Sequence, residues 1–256
     1  MILPEKHIFH IPPKRIVSLV PSLTELLHYL GLEEETVGIT KFCIHPKEWF
    51  RSKTRVGGTK TANIAAIKKL EPHLIIANKE ENVKEQVEEL ANDFNVLVTD
   101  VNTAEEALQM ILHIGQLTGK TTAAKQLAST IKKEFLKLNR NKKTPVKTAY
   151  LIWNNPYMTV GCDTFINDIM DKSGFQNVFA GLKRYPEVTV DQLKDSDCQL
   201  VLLSTEPYPF KQKHIDALQS QLPGVKIMLA DGEMFSWYGS RMLLAPGYLL
   251  NVRRES

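Results

Sequence analysis

Residues Thr121 to Lys143 read TTAAKQLASTIKKEFLKLNRNKK, and the interpretation of the whole chain depends on this stretch. Apolar residues recur along it at spacings of three and four, which predicts a single apolar stripe on one helix. These apolar positions are Ala124, Leu127, Ala128, Ile131, Phe135 and Leu138. No Gly or Pro interrupts the stretch, so roughly 20 residues would form a rod about 30 Å long, about the diameter of a small domain.

Short apolar runs alternate with amphipathic segments on both sides of this stretch. Strands that alternate with helices predict crossover connections and mostly parallel sheets. Periodicity alone leaves two interpretations open: a surface helix packed on a single sheet, or a helix that joins two lobes. We predict an α/β fold of two lobes with mostly parallel sheets, joined by one long rigid backbone helix. The corresponding division is 1–100 for the N-terminal lobe, 101–143 for the connecting helices and 144–256 for the C-terminal lobe.

The first half begins with a predicted buried strand at residues 16–20, which Pro21 ends. Ser22 and Glu25 have the spacing of a capping box, in which both side chains bond to free N–H groups at a helix start. Asn63 is predicted to cap a later helix. Further strands are predicted at 37–39, 74–77 and 96–98, and further helices at 64–70, 81–91 and 103–117.

The second half repeats this plan with different residues. Strands are predicted at 146–153, 200–203 and 227–229, and helices at 164–170, 214–222 and 240–252. Pro246 falls inside the last helix and is predicted to kink or split it, because proline cannot donate a backbone hydrogen bond.

The composition of the chain is that of an ordinary globular protein of 256 residues, with 43% hydrophobic and 24% charged residues. The net charge of +3 is too small to indicate a nucleic-acid or membrane partner. Cys43, Cys162 and Cys198 are far apart and form no C-x-x-C motif, so they signal neither a zinc site nor a redox pair. No run approaches the roughly 18 apolar residues of a membrane-spanning helix.

Three short motifs with potential chemistry are better explained by local structure. The segment Gly57-Gly58-Thr59-Lys60-Thr61 lacks the spacer and the ending of a phosphate-binding loop. Ser22 lacks the G-x-S-x-G context of a nucleophile. Cys43 and His45 could form a catalytic pair or two metal ligands, but further ligands are not evident, and a loop role is the simpler interpretation.

Side chains that local structure does not require follow the ends of predicted strands, where α/β proteins bind ligands. In the first half the candidates are Ser22, Phe42, Thr59, Lys60, Asn78 and Lys79. In the second half they are Trp153, Asn154, Asn155, Tyr157, Tyr185, Glu206, Phe210, Phe235, Trp237, Tyr238 and Arg241. Residues 235–238 place three aromatics in a predicted loop, where they offer contact area to a ligand or else close the base of the lobe.

The opening of the chain resembles that of the class III substrate-binding proteins. The motifs are Arg15-Ile16-Val17-Ser18-Leu19-Val20-Pro21-Ser22-Leu23-Thr24-Glu25, then Gly31, Val37-Gly38, Pro46 and Val56-Gly57-Gly58. The segments Asn63-Ile64 and Leu70-Glu71-Pro72-His73-Leu74-Ile75-Ile76 are similar to the family pattern N-L-x-x-I-x-x-L-x-P-D-L-V-I. These proteins are the cobalamin, haem and ferric-siderophore receptors of ABC importers, and this chain looks most like the cobalamin-receptor branch.

The resemblance implies a long backbone helix between two lobes, and it also shows two departures. Aromatic side chains line the first-lobe cleft in vitamin B12 receptors, whereas the matching positions here are Thr59 and Asn78, and only Phe42 is aromatic. Family members dock onto their permease through a carboxylate on each lobe. The matching positions are Ala65, which carries no charge, and Asp191.

The residues and the resemblance together predict a non-catalytic binding protein of the ABC-importer type. It would hold one metal chelate, a corrinoid, ferric siderophore or haem, in the cleft between the lobes, with Arg241, Lys60 or Lys79 facing ligand anions. We expect no intrinsic cofactor or metal and no nucleic-acid partner. One alternative is a cytoplasmic enzyme or chaperone that handles such a chelate with Cys43 and His45, and another is a scaffold without a small ligand.

The N-terminal segment MILPEKHIFHIPPKR has neither an apolar core nor a cleavage site of a secretory signal. From this segment, the sparse cysteines and Ala65, we expect a cytoplasmic protein that works without a permease. A trimmed periplasmic or cell-surface protein, with an ABC permease as partner, is the alternative.

Overall fold

The computed structural model describes residues 1–4, 7–140 and 144–256, with the side chains at 139 and 140 outside the description. The chain forms two compact units. The first unit contains Met1–Val101, Glu106–Ser129 and Tyr238–Arg241. The second unit contains Asn102–Glu105, Thr130–Trp237 and Met242–Ser256. The chain therefore passes between the units several times, and the proposed boundaries at 100/101 and 143/144 stay a prediction.

The first unit is built on a five-stranded sheet in the order β3-β2-β1-β4-β5, with every pair parallel. Its strands are β1 Ile16–Ser18, β2 Thr36–Ile39, β3 Thr54–Arg55, β4 Leu74–Asn78 and β5 Val96–Thr99. Because all five run in one direction, their carboxyl ends lie at one edge of the sheet. Strands β1 and β4 are buried along their whole length, which fits their mainly apolar sequences.

Helices connect these strands, as the alternating pattern predicts. They are α1 Pro21–Tyr29, α2 Lys47–Ser52, α3 Ile64–Lys69, α4 Lys84–Asp93 and α5 Ala104–Leu117. The predicted cap of α3 is confirmed, because the Asn63 side chain accepts a hydrogen bond from the N–H of Ala66.

The capping box predicted at the start of α1 is wrong. The cap lies two residues earlier, at Val20, with Pro21 as the first helical residue, and no side chain caps the helix. Proline has the backbone φ of a helix already and needs no N–H partner, so it takes the first helical position. Ser22 is therefore a buried helical residue, and Glu25 is free to pair elsewhere.

The central helix α6 spans Thr121–Arg140, so the long helix predicted from the apolar stripe is confirmed. Residues 141–143 of the predicted helix lie outside the described part of the chain. All six stripe residues are buried. A Cβ on Gly115 of α5 would lie 2.2 Å from the Cβ of Ala124, so this glycine allows the two helices to pack closely. The helix starts in the first unit and continues into the second after Ser129.

The second unit is built on a six-stranded sheet in the order β11-β10-β6-β7-β9, with β8 beside β6. The strands are β6 Val146–Trp153, β7 Tyr157–Thr159, β8 Phe175–Asn177, β9 Glu187–Val188, β10 Leu200–Ser204 and β11 Lys226–Ala230. Strands β6, β8, β10 and β11 are parallel, and β7 and β9 are antiparallel to their neighbours. The three short strands β7, β8 and β9 have too few residues for a clear periodicity, so the sequence pattern did not show them.

The helices of the second unit pack on this sheet. They are α7 Phe165–Lys172, α8 Val190–Asp195, α9 Gln212–Gln219, α10 Gly232–Ser236 and α11 Ala245–Glu255, with a 3₁₀ turn at Ser240–Leu243. The predicted last helix is thus split, as Pro246 suggested, and Pro246 lies in the first turn of α11. The fold class, two α/β units with mostly parallel sheets and one connecting helix, is confirmed. Within the described residues, none of the helices has the length and apolar character needed to cross a membrane.

Candidate ligand-binding site

Asn78 stands at the carboxyl end of β4 and organises the sheet edge of the first unit. Its Oδ1 accepts hydrogen bonds from the N–H groups of Glu80 (2.8 Å) and Glu81 (3.1 Å). Its Nδ2 donates to the carbonyl of Thr99 at 2.9 Å. Because the side chain is buried and these bonds occupy it, we assign Asn78 to shaping the edge rather than to contacting a ligand.

Asn82 extends this hydrogen-bond network, although the sequence interpretation missed it. Its Nδ2 donates to the carbonyls of Leu19 (3.2 Å) and Thr59 (3.0 Å), while its Oδ1 accepts from the N–H of Asn78 (2.8 Å). The network therefore fixes the loop that carries Thr59 against the ends of β1 and β4. Its only sequence signal is a second asparagine four residues after Asn78.

Phe42 is the accessible aromatic residue predicted at this edge, and its side chain is 50% exposed. A Cβ on Gly58 would lie 3.2 Å from the Phe42 ring, so glycine at that position leaves room for the ring. The Nζ of Lys41 lies 5.2 Å from the ring centroid, within the range of a cation–π contact. Phe42 therefore offers an apolar face beside a positive charge.

Two further cations lie at the same edge. The Nζ of Lys60 donates to the carbonyl of Glu80 at 2.6 Å, and the Nζ of Lys79 pairs with Asp100 at 2.6 Å. Both lysines are exposed, and exposed ion pairs contribute little to stability. Either ammonium group can therefore exchange its partner for an anionic group of a ligand.

Three other predicted site residues are buried in the first unit. Ser22 and Tyr238 are buried, and the Tyr238 hydroxyl donates to a Glu81 carboxylate oxygen at 3.5 Å. Burial raises the pKa of the Tyr238 phenol well above its usual value. Arg241 forms a two-point ion pair with Glu25, through Nε at 3.0 Å and Nη2 at 2.8 Å. We therefore withdraw Arg241 as a cation for ligand anions, because Glu25 already binds its guanidinium.

Trp153 and Tyr208 form the aromatic part of the sheet edge in the second unit. Trp153 ends β6 and is 41% exposed, and Tyr208 follows the end of β10. Their ring centroids are 5.6 Å apart in an edge-to-face arrangement, and the buried ring of Phe210 lies 4.8 Å from that of Tyr208. Trp153 and Phe210 are among the candidates predicted from the sequence, whereas Tyr208 is not, although it stands four residues beyond the end of β10.

The Tyr208 hydroxyl is held by two side chains. Asn154 Nδ2 lies 3.2 Å from this oxygen, and His214 Nε2 also lies 3.2 Å from it. The N–H of Lys211 donates to His214 Nδ1 at 2.8 Å, so the proton of the neutral imidazole is on Nε2. The phenol oxygen thus accepts two hydrogen bonds, and its own hydrogen is left for another acceptor.

Glu206 lies on the same turn and is half-buried. Its Oε1 accepts from the Ser236 hydroxyl and from Trp237 Nε1, both at 2.8 Å. Its Oε2 has no hydrogen-bond partner among the residues that the structure describes. Burial raises the pKa of the Glu206 carboxyl above its usual value. The hydrogen bond from Ser236 lowers this pKa, and the nearby charges of Glu233 and Asp231 raise it further.

The raised pKa of Glu206 predicts how its replacement affects stability. Folding makes this carboxyl harder to ionise, so the folded protein loses stability as pH rises from the usual pKa of 4.5 to the raised value. Glu206→Gln keeps the shape of the side chain and does not titrate. We expect the variant to be more stable than the native protein at pH 7, with a difference that disappears below pH 4.5. Urea unfolding across this range measures the effect, and a constant difference would contradict it.

The remaining candidates of the second unit lie near the same edge or on its surface. Tyr157 of β7 is half-buried, and its pKa is raised by burial and by Tyr208. Tyr185 is half-buried beside Arg184, whose guanidinium carbon lies 5.7 Å from the Tyr185 ring centroid. Asn155 is exposed. We keep Tyr157 and Tyr185 as proposed contacts.

Phe235 and Trp237 do not lie in an open loop, which corrects the sequence-based interpretation. Phe235 belongs to α10 and is fully buried against Tyr150 and Phe175. Trp237 is almost buried, and its indole N–H is bonded to Glu206. Both aromatics therefore pack against other side chains of the protein, and we withdraw both as direct ligand contacts.

The two docking positions differ in charge. Ala65 is exposed on α3, whose last turn carries Lys68 and Lys69. Asp191 is exposed on α8 and pairs with Lys194 at 3.1 Å. Lys68 pairs with Asp93 at 2.8 Å, so one of these two charges is compensated. The assignment of both positions to docking stays a prediction.

Cys43 does not have the environment of a nucleophile. Its Sγ is buried between the hydroxyls of Thr24 (3.1 Å) and Thr40 (3.2 Å). Burial raises the pKa of its thiol, so little of the reactive thiolate forms at neutral pH. The described residues contain no group of three or more His, Cys, Asp or Glu side chains placed to hold a metal ion.

Two α/β units with mostly parallel sheets are joined by one long helix, and each has aromatic and polar groups at its carboxyl edge. This arrangement is that of a substrate-binding protein with a helical backbone. A sequence model described as "Periplasmic binding protein" matches residues 16–230. The chain belongs to this periplasmic binding protein family.

Two curated relatives support this assignment. The vitamin B12-binding protein of Photorhabdus laumondii is 25% identical over 202 residues, which is 77% of this chain and 73% of the relative. An uncharacterized ABC transporter substrate-binding lipoprotein of Bacillus subtilis is 29% identical over 187 residues, which is 69% of this chain and 59% of the relative.

Solved structures show the same fold at low sequence identity. The vitamin B12-binding protein of Vibrio cholerae has a TM-score of 0.80 at 20% identity and covers 95% of this chain and 98% of its own. A haem-binding protein from Roseiflexus has a TM-score of 0.79 at 20% identity, with coverage of 93% and 96%. An Fe³⁺-hydroxamate transport protein from Saccharomonospora viridis has a TM-score of 0.74 at 17% identity, with coverage of 96% and 94%.

The expected cytoplasmic location is wrong. The family is one of periplasmic binding proteins, and the Bacillus subtilis relative is a lipoprotein of an ABC transporter. Whether the protein works with a permease is a separate expectation, which these relatives do not test and which stays a prediction. Both expectations rested on the first residues, three cysteines and Ala65, and none of these features determines the fold or the family.

Proposed function

We propose that this protein binds a metal chelate of the corrinoid, haem or ferric-siderophore class and delivers it to an ABC permease. The observation that carries the proposal is the sheet edge of the second unit, where exposed Trp153 lies beside Tyr208. The Tyr208 hydroxyl hydrogen and Oε2 of Glu206 remain available there. Relatives and structural neighbours named for vitamin B12, haem and Fe³⁺-hydroxamate support this class of ligand.

The available groups suit a ligand with a broad flat face and a polar rim. Trp153 and Phe42 provide apolar area in rigid side chains, which costs little conformational entropy on binding. Lys60, Lys79 and Thr59 provide polar contacts at the edge of the first unit. Most binding free energy should come from the aromatic groups, because exposed cations keep much of their hydration.

Titration of the purified protein with cyanocobalamin, haemin and ferric desferrioxamine tests the proposal. Each probe absorbs visible light, so equilibrium dialysis with absorbance detection measures its dissociation constant directly. Saturable one-to-one binding of one probe at micromolar concentration or tighter supports the function. Failure of all three probes to bind would contradict it.

We also propose that the protein releases its ligand unchanged. The buried, protonated Cys43 thiol argues against the alternative of a chelate-processing enzyme. Mass spectrometry of the probe after incubation should recover it without modification. For the permease, Asp191 remains the proposed contact of the second unit, and loss of association after Asp191→Lys would support that role.

Trp153→Ala is expected to weaken binding of the best probe by about 1–3 kcal/mol, or roughly 5- to 150-fold in dissociation constant, as for other truncated aromatic anchors. The exposed indole packs on few core residues, so stability should change little. Tyr29→Ala is the matched control, because Tyr29 is also exposed but ends α1, away from the carboxyl edge. Equal affinities of the two variants would remove Trp153 from the site.

A further inference from the structure

We propose that the turn after β10 selects chelates whose rim carries uncharged amides over chelates whose rim carries carboxylates. Glu206 is the discriminating residue, and Tyr208 supplies the complementary donor. This inference rests on the proposed function, since it concerns selectivity within the same site. The preference between amide and carboxylate rims would then depend on the charge and hydrogen bonding of Glu206 and Tyr208.

The hydrogen bonds of Glu206 leave one oxygen for the ligand. Ser236 and Trp237 both donate to Oε1 at 2.8 Å, and together they hold the carboxylate in one orientation. A Cβ on Gly232 would lie 2.4 Å from the Glu206 Cγ, so the backbone of α10 packs directly on the side chain. The carboxylate is therefore fixed on one side, and Oε2 remains an acceptor without a donor among the described residues.

Tyr208 is fixed in the same way but has the opposite hydrogen-bonding character. Asn154 and His214 occupy its oxygen as donors, each at 3.2 Å, so the hydroxyl hydrogen remains for an acceptor that a ligand can supply. Since both lone pairs of the oxygen accept hydrogen bonds, this phenol is better suited to donating to a rim group than to binding a metal centre. Glu206 and Tyr208 thus present one acceptor and one donor, two residues apart on a single turn.

A primary amide has the matching pair of groups, with an NH₂ donor for Glu206 Oε2 and a carbonyl acceptor for Tyr208. A carboxylate in the same position would leave Oε2 without a donor and would place a second negative charge beside it. Glu206 forms no ion pair with a described cation, and the charged groups that act on it, Glu233 and Asp231, are also acidic. Like charges placed against each other in an interface are strongly unfavourable.

Paired ligands that differ only in rim charge test this selectivity. The first pair is cyanocobalamin and its monocarboxylic acid derivatives, in which one rim amide is a carboxylate. The second pair is the bis-amide of haemin and haemin itself. We expect the native protein to prefer the amide member of the pair it binds by about tenfold or more, and Glu206→Gln to reduce this preference to about threefold or less, because like-charge repulsion is lost.

Asp195→Asn is the matched control, because it removes one negative charge from an exposed position at the end of α8. It should keep the native preference. The indole N–H resonance of Trp237 and the thermal unfolding midpoint show whether Glu206→Gln retains the fold and the bond to Oε1. Tyr208→Phe should weaken both members of a pair, since either rim group can accept from the phenol.

Loss of the preference in Glu206→Gln, with Asp195→Asn unchanged, supports the inference. Binding without an amide preference in the native protein, or the same preference in Glu206→Gln, overturns it and leaves the proposed function standing. Absence of binding for every member of both pairs and for ferric desferrioxamine overturns the inference and the proposed function together.

Discussion

Arg241→Ala should lower the free energy of unfolding by about 3–5 kcal/mol, because it leaves a partly buried carboxylate without its partner. The guanidinium binds both carboxylate oxygens of Glu25, at 3.0 and 2.8 Å, and the two side chains are 9% and 20% exposed. A two-point ion pair in this environment stabilises chiefly by compensating two charges that have lost their hydration. Urea unfolding at pH 7 measures the change.

The same ion pair attaches the 3₁₀ turn Ser240–Leu243 to helix α1. Gly239, just before this turn, has a positive φ of 110°, and a Cβ there would lie 3.4 Å from Leu26. The chain therefore crosses α1 at close range, and Arg241 fixes it there. Losing the pair should also expose this crossing to local opening, which hydrogen exchange at residues 239–242 would detect.

Lys194→Ala is the control for Arg241→Ala. Its pair with Asp191 has a similar length, 3.1 Å, but the two side chains are 51% and 85% exposed, so its loss should cost about 0.5 kcal/mol or less. A second variant, Glu25→Leu with Arg241→Met, removes both charges and should recover most of the stability. If Arg241→Ala costs no more than Lys194→Ala, the buried pair does not hold the 3₁₀ turn on α1.

The sequence predicted the architecture well, because apolar periodicity and the residues that begin and end helices depend directly on local structure. The stripe from Ala124 to Leu138 identified α6, and the strand predicted over 146–153 is β6 with its observed bounds. Asn63 capped its helix as predicted. The box at Ser22 failed because Pro21 occupies the first helical position, which moves the cap two residues earlier, to Val20.

The candidate site was less predictable, because position after a strand end does not reveal which direction a side chain takes. Trp153 follows that rule and is exposed, whereas Phe235 and Arg241 turn into the protein. The partners that decide this, Tyr150 and Glu25, are more than 80 residues away in sequence, and local periodicity cannot show such contacts. Tyr208 was missed because its role depends on Asn154 and His214, which also come from other elements.

Phe235→Ala should lower the free energy of unfolding by about 3–5 kcal/mol, the range for removing a buried aromatic ring from a packed core. The Phe235 ring is fully buried, with its centroid 4.9 Å from that of Tyr150 and 6.4 Å from those of Phe175 and Tyr248. Its removal leaves a cavity between strands β6 and β8 and helix α11, which the rigid sheet cannot close. Chemical unfolding, with the slope against denaturant concentration checked for two-state behaviour, measures the loss.

Phe42→Ala is the matched control, because it removes the same ring from a position that is 50% exposed. Its effect on stability should be about 0.5 kcal/mol or less, as for other surface substitutions. Affinity for the best probe should show the reverse order, since Phe42 offers its face at a sheet edge and Phe235 does not. At a temperature where it is fully folded, Phe235→Ala should have a dissociation constant within about threefold of that of the native protein. Phe42→Ala removes an aromatic anchor and should raise the dissociation constant about tenfold. If Phe235→Ala instead loses affinity while keeping its stability, the ring belongs to the ligand site and its assignment to the core is wrong.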